Sequence, residues 1–267
     1  MTALERATQW LLGAVTLVVF LVLYAPVVLV ALLSLFDYRQ GRVAWDSLSL
    51  AWYARLAHNQ SILSALASSL MVGVAAVGLA LAFGMLIAFH VNDGRNPGRR
   101  LLELLVFLPF LLPPLITGLS LLIFFRMVDV DRDLKTVTVG HAVFLLALAY
   151  RILLTRLQAL PGALVEASYD LGATAWQTFR YVLLPHMRSA LVVAGLLAFT
   201  LSFDETLITF FLVGDGMTLP IRLWAMMRVG FTPEVNALVT LVLLSSVVIT
   251  VGAAVALRRR LAVQTES

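Results

Sequence analysis

Apolar residues in this chain gather into six runs, about residues 10–36, 61–91, 101–127, 138–157, 188–213 and 233–257, separated by short polar intervals. A bilayer core about 30 Å thick takes about 20 helical residues to cross, so each run predicts a transmembrane helix. Lipid offers no hydrogen bonds to the backbone, and runs of this kind satisfy it as helices. The predicted fold class is therefore all-α and integral to the membrane, with six transmembrane helices. Residues 1–9 are a short leading segment, 10–257 the six-span domain and 258–267 a polar tail. The first run is too long for the apolar region of a cleavable signal peptide, and it is expected to remain as the first span.

Interruptions in the pattern carry most of the information. Pro26 predicts a kink in the first span. In the polar connection from Asp37 to Gln60, Trp45, Trp52 and Tyr53 fit an interfacial segment. The second run holds Gly73, Ala75, Ala76, Gly78, Ala80, Ala82 and Gly84, a surface on which another helix can pack closely. The third contains Pro109, Pro113 and Pro114, so its helix must break or bend near mid-membrane. Irregular backbone at that depth is tolerated where protein buries it or where it lines a wet cavity, which leaves two readings, a structural kink and a translocation pathway.

The fifth run carries two adjacent acids, Asp204 and Glu205. A carboxylate inside a membrane is costly unless paired or wet, and marks a functional site by default. At about 1.5 Å per residue from Arg188, Asp204 lies roughly 24 Å along the helix, in the far half of the span. Helical neighbours point about 100° apart, so at most one acid faces a central pathway. The other is expected to pair with Arg126 or Arg151; the alternative ties both acids into helix-packing ion pairs.

Between the fourth and fifth runs lies a polar, two-part helical segment, Glu166 to Pro185. Pro161 suits the first turn of a helix and Gly172 the left-handed position that ends one. Thr174 and Gln177 form a capping box that starts a second helix, with Trp176, Phe179 and Leu183 on one face. Pro185 marks where that helix ends or bends. Elsewhere, the acids of the loop 128–137 (Asp129, Asp131, Asp133) read as a solvated cap in preference to a cation site. Residues 219–228 read as a short external helix, a lid or docking surface on one view and an interfacial helix on the other. Thr232, Pro233 and Glu234 supply cap, first-position proline and first-turn acid for the sixth span.

Composition narrows the function. Hydrophobic residues make up 61% of the 267-residue chain and charged residues 13%, with a mean hydropathy of +0.97, against about 25% charged in soluble domains. With no cysteine, disulfides, thiolate metal sites and cysteine nucleophiles are excluded. The four histidines are scattered and form no metal-ligand pair. Neither a nucleophile–base–acid constellation nor a GxxxxGK[ST] loop occurs, so the chain is not expected to be an enzyme, and energy for uphill transport would come from a partner or an ion gradient. The formal charge of +4 reads as a topology signal and the lipid bilayer as the partner, in place of nucleic acid, because the arginines flank apolar runs. Placing both termini inside puts 11 of the 19 basic residues there and 8 outside, with Arg95–Arg100 and Arg258–Arg260 hard against span ends. Glu166–Pro185 then faces the cytoplasm.

Glu166-Ala167-Ser168, then Gly172 after three residues, then Val182-Leu183-Leu184-Pro185 after nine more, resembles the cytoplasmic signature of binding-protein-dependent ABC importer permeases. Ser168 stands where that pattern has alanine and Val182 where it has isoleucine. The resemblance implies a type I importer permease in a bacterial inner membrane, its six-span core covering nearly the whole chain. Residues 161–185 would be the coupling helix, docking through Glu166, Ala167, Ser168, Asp170 and Gly172 into a dimer of cytoplasmic ATP-binding subunits. Leu184 and Pro185 would relay the motion into the fifth span. ATP and Mg would sit on that partner, with no cofactor or metal in this chain. A second, homologous permease and a periplasmic substrate-binding protein complete the implied assembly.

The runs Ser202–Glu205, Ile208–Phe211, Thr218–Pro220 and Pro233–Leu238 further resemble the second permease subunit of spermidine/putrescine importers. That implies a polyamine, and Asp204 and Glu205 favour a cation by Coulomb complementarity. Other small amines, amino acids or organophosphonates remain alternatives within the family. Outside it stands an ion-coupled secondary carrier with a proton on Asp204 or Glu205; it predicts inverted halves, and no convincing internal repeat is visible.

Overall fold

The computed structural model describes residues 3–39, 42–94, 96–230 and 232–248. Arg95, the end of the sixth run, the Arg258–Arg260 cluster and the tail 258–267 lie outside the described residues. Among the described residues, four helices are long and apolar enough to cross a bilayer: Thr8–Leu33, Gln60–Asn92, Leu134–Gln158 and Ala175–Asp204. A bent pair, Arg99–Leu111 with Pro114–Met127, makes a fifth if its halves count as one span. Pro233–Val248, the described part of the sixth run, is apolar but shorter. Contacts divide the chain into two units, one drawn from its two ends and one from Ser64–Arg222.

In the unit built from the ends, α1 (Ala3–Leu33) runs through Pro26 and exposes apolar side chains along its length, as a lipid-facing helix does. The polar connection after it is not wholly helical. A small antiparallel hairpin, β1 (Asp37–Arg39) and β2 (Arg42–Ala44), pairs Tyr38 with Val43 and precedes α2 (Ala51–His58). This two-stranded element departs from the all-α expectation. The predicted interfacial aromatics hold it together: Trp52 Nε1 donates to Asp37 Oδ1, the Arg55 guanidinium lies 4.5 Å from the centre of the Trp52 ring, and Tyr53 and Ser34 share a 2.6 Å hydrogen bond. The last described helix, Pro233–Val248, joins this unit through two amides. Asn236 Nδ2 donates to Tyr38 Oη at 2.9 Å, and Asn59 Nδ2 donates to Glu234 Oε1 at 2.8 Å.

The Ser64–Arg222 unit is organised around α3 (Gln60–Asn92), α6 (Leu134–Gln158) and α9 (Leu184–Asp204). Gly73, Ala76, Ala80 and Gly84 of the second run form a contact surface as expected, while Ala75, Gly78 and Ala82 are exposed. Ala76 and Ala80 are buried, and a Cβ on Gly73 would lie 2.9 Å from the ring of Phe199. A Cβ on Gly84 would lie 3.0 Å from the backbone nitrogen of Tyr150, so α3 and α6 touch there backbone to backbone. Gly78, by contrast, faces open space.

The third run breaks where its prolines predict. α4 (Arg99–Leu111) and α5 (Pro114–Met127) meet at 110°. Leu112 is extended (φ −77°, ψ 144°), the conformation favoured before a proline. Pro113 has no N–H to give the carbonyl of Pro109, four residues back, and Thr117 Oγ1 donates to that oxygen instead at 3.1 Å. On the α4 side, Glu103 accepts a 2.7 Å hydrogen bond from the hydroxyl of the fully buried Tyr150.

Candidate functional site

Two features answer to the residues singled out in the sequence. The first is the segment after α6. α7 (Gly162–Asp170) starts one residue later than expected, with Pro161 as its cap. Gly172 then takes φ +81°, the left-handed value its position called for, and its amide donates to Tyr169 O at 2.8 Å. Thr174 and Gln177 form the predicted capping box at the start of α8 (Ala175–Gln177).

The chain does not end or bend sharply at Pro185. A single wide turn, Thr178–Leu183, carries α8 directly into α9, with the Leu184 amide donating five residues back to Phe179 O. Proline lacks the amide that an unbroken α-helix needs and crowds the preceding turn; here the wide turn just before it carries the helix past the proline. The result is one helical element from Ala175 to Asp204.

The predicted docking residues divide by exposure. Glu166, Ala167, Asp170 and Gly172 lie at the surface, beside Leu171 (90% exposed) and Trp176 (68% exposed). Ser168 is buried; its hydroxyl bonds Val165 O at 2.7 Å and Thr178 Oγ1 at 2.9 Å. It pins the two halves of the segment together from beneath the exposed residues expected to dock. Leu184 and Pro185 are partly buried at the start of α9. Of the expected apolar face, Phe179 and Leu183 pack inward while Trp176 stays outside, its ring 5.4 Å from that of Phe179. At the same level the Arg156 side chain in the last turn of α6 donates to His186 O at 3.1 Å, tying α6 to the start of α9.

The second feature surrounds Glu205. The fifth run is not one continuous helix: α9 stops at Asp204, and a short helix, α10 (Leu207–Leu212), begins after a gap at Glu205 and Thr206. The gap is filled from within, because Glu205 Oε1 accepts the Ile208 amide at 3.0 Å. At the other end of α10 the carbonyl of Leu212 accepts from Thr136 Oγ1 of α6 at 2.9 Å. Glycines seat this short helix closely. A Cβ on Gly118 of α5 would lie 3.0 Å from Ile208 Cα, and one on Gly140 of α6 would lie 2.9 Å from Ile208 Cγ2.

Around the gap lies a compact polar cluster of Ser69, His141, Ser202, Glu205, Thr209 and Thr218. His141, 2% exposed, bonds Ser202 Oγ through Nδ1 and Thr209 Oγ1 through Nε2, each at 2.8 Å. Ser69 Oγ accepts the Leu219 amide at 2.8 Å, where α11 (Leu219–Val229) begins in the predicted 219–228 region. Thr218 Oγ1 is buried with no partner among the described residues.

The expected ion pairs are absent: among the described residues neither Asp204 nor Glu205 is bridged to Arg126 or Arg151, and both arginines are exposed. The gap turns the two acids apart, leaving Asp204 exposed and Glu205 half-buried with an amide as its partner. Among the described residues no group of three or more metal-ligating side chains occurs. In the 128–137 loop, Asp133 accepts from the amides of Lys135 and Thr136 and caps α6. His141 was not among the predicted site residues. Its signal was position: it lies inside the fourth apolar run, while His58, His90 and His186 lie outside or at the edges of theirs.

A model of the binding-protein-dependent transport system inner membrane component family matches residues 80–263. The putrescine transport system permease protein PotI of Escherichia coli (strain K12) is 34% identical over 232 residues, 84% of this chain and 82% of that one. The spermidine/putrescine transport system permease protein PotC of Haemophilus influenzae is 30% identical over 243 residues, 91% and 94% of the two chains. In fold, the chain superposes with a TM-score of 0.73 on a chain of a bacterial ABC transporter involved in the import of the acidic polysaccharide alginate, covering 95% of this chain and 98% of that one at 16% identity.

Proposed function

This chain belongs to the binding-protein-dependent transport system inner membrane component family, and from that premise we propose that it forms half of the translocation pathway for a polyamine such as putrescine or spermidine. It is a multi-pass permease subunit of an ABC importer. The observation that carries the substrate class is Glu205, a carboxylate held in the gap between α9 and α10. Exposed Asp204 lies beside it. Two acids at this depth suit an ammonium group and repel an anion. The names of the relatives support the same solute.

Coupling follows from the helix that ends at those acids. Glu166, Ala167, Asp170 and Gly172, with Leu171 and Trp176, would form the surface that meets a cytoplasmic ATP-binding subunit, on which ATP and Mg are bound. Motion there enters Ala175–Asp204, which at about 1.5 Å per residue is roughly 45 Å long. Leu184 and Pro185 lie within this element, so a push that has passed the Gly172 turn reaches Asp204, at the edge of the Glu205 gap, along one helix. Six spans, both termini cytoplasmic, a homologous second permease and a periplasmic binding protein complete the proposed assembly.

The test is Glu205→Gln. The amide keeps an oxygen for Ile208 and removes the charge. Unit charges about 4 Å apart at an effective dielectric of about 20 attract by about 4 kcal/mol, and losing a third of that is about tenfold in uptake. Uptake of labelled putrescine into proteoliposomes holding the whole transporter should fall by at least about that factor. Undiminished putrescine uptake refutes the cation reading.

A further inference from the structure

The cation reading needs Glu205 held in one place, and the local bonds at its gap, from the Ile208 amide and the Thr209 hydroxyl, are joined by a contact from another helix. Both sides of the gap meet α6 at one residue. Ser202 lies three positions before Glu205 and Thr209 four after it, and His141 reaches both hydroxyls. The hydrogens on these groups follow from the partners. Thr209 Oγ1 donates to the backbone carbonyl of Glu205 at 2.7 Å, so its single proton is committed. It therefore accepts from His141, which places the ring proton on Nε2. A neutral imidazole protonated there accepts at Nδ1, and the hydroxyl of Ser202 supplies that proton. The cluster is thus one directional chain, from Ser202 through the ring of His141 and the hydroxyl of Thr209 to the carbonyl of Glu205. The carboxylate of the same residue is fixed separately by the Ile208 amide.

We infer that His141 is a positioning residue for solute recognition: it clasps the two sides of the helix gap and so sets where the Glu205 carboxylate stands for a solute ammonium group. It does not itself touch the solute, since both ring nitrogens are occupied and the ring is buried. The inference rests on the cation reading of Glu205.

The test uses the assembled transporter with its binding protein in proteoliposomes, reading labelled putrescine taken up per ATP hydrolysed. His141→Ala breaks the chain at its centre. Thr209→Val removes one hydroxyl at nearly constant shape, and Thr209→Ser restores it. Each broken link is worth about the free energy of a buried hydrogen bond, so uptake per ATP should fall about fivefold to tenfold in His141→Ala and Thr209→Val, with recovery in Thr209→Ser. Binding-protein-stimulated ATPase should stay within about twofold, because the docking surface is untouched. A packing role alone predicts instead that assembly and ATPase fall together while uptake per ATP is kept, and that result overturns the inference. If His141→Ala does not assemble, the Thr209→Val and Thr209→Ser pair decides. Loss in Glu205→Gln with no change in Thr209→Val overturns the positioning role and leaves the cation reading standing. No loss in Glu205→Gln overturns both.

Discussion

Replacing Gly172 by alanine adds one methyl group where φ is +81° and no atom lies within 4 Å of the added carbon. Space is therefore not the issue, and the whole effect comes from the backbone. An L-residue in the left-handed region costs about 1–2 kcal/mol relative to glycine. Gly172 lies at the exposed turn between α7 and α8, where an altered turn changes the relative direction of the two helices before it touches the buried packing of α6 and α9. A cost of about 1–2 kcal/mol shifts the balance between the observed turn and others by about fivefold to thirtyfold. The assay is binding-protein-stimulated ATPase of the assembled complex beside its thermal midpoint in detergent. Gly172→Ala should lower stimulation, by at most that factor, with little change in midpoint, and Gly172→Asn should be milder, because asparagine tolerates the left-handed region. Stimulation unchanged in Gly172→Ala, or equally poor in alanine and asparagine variants, refutes the conformational argument.

Two further outcomes are expected. Thr117→Val leaves the Pro109 carbonyl without its donor at the bend of the third run and should destabilise the transporter by about 1–3 kcal/mol, seen as a lower thermal midpoint, while Thr117→Ser retains it. Leu171→Ser with Trp176→Ser removes the largest exposed apolar groups of the docking surface and should weaken co-purification of the ATP-binding subunit without changing the permease's own melting.

What the sequence made legible was set by local chemistry. Gly172, the Thr174 and Gln177 capping box and the Pro109–Pro114 break each depend on residues within a few positions of one another, and each came out as read. Pro185 was misread because the local rule for proline says stop, whereas the wide turn before it lets the helix carry on. The gap at Glu205 bears neither glycine nor proline and could not be seen. It is held by His141, 61 and 68 positions from its partners, and by the close seat that Gly118 and Gly140 give to α10. The acids themselves stood out, since carboxylates in an apolar run are conspicuous, but the arginine partners proposed for them came from charge matching alone. Ser168 counted as a departure from a motif; in the fold its hydroxyl has a job that alanine could not do.

The wide turn at Thr178–Leu183 has a rotational consequence. An α-helix advances about 100° per residue, and a turn bonded five residues back accommodates one residue more than a turn bonded four back. The angle between the face carrying Trp176 and the face carrying Asp204 is therefore offset at that turn from the value an unbroken α-helix of the same length would give. Relaxing the Leu184-to-Phe179 bond by one position would swivel everything beyond it by up to about 100° about the helix axis. In such an element a twist applied at the docking end is converted into a change in which way the far end looks.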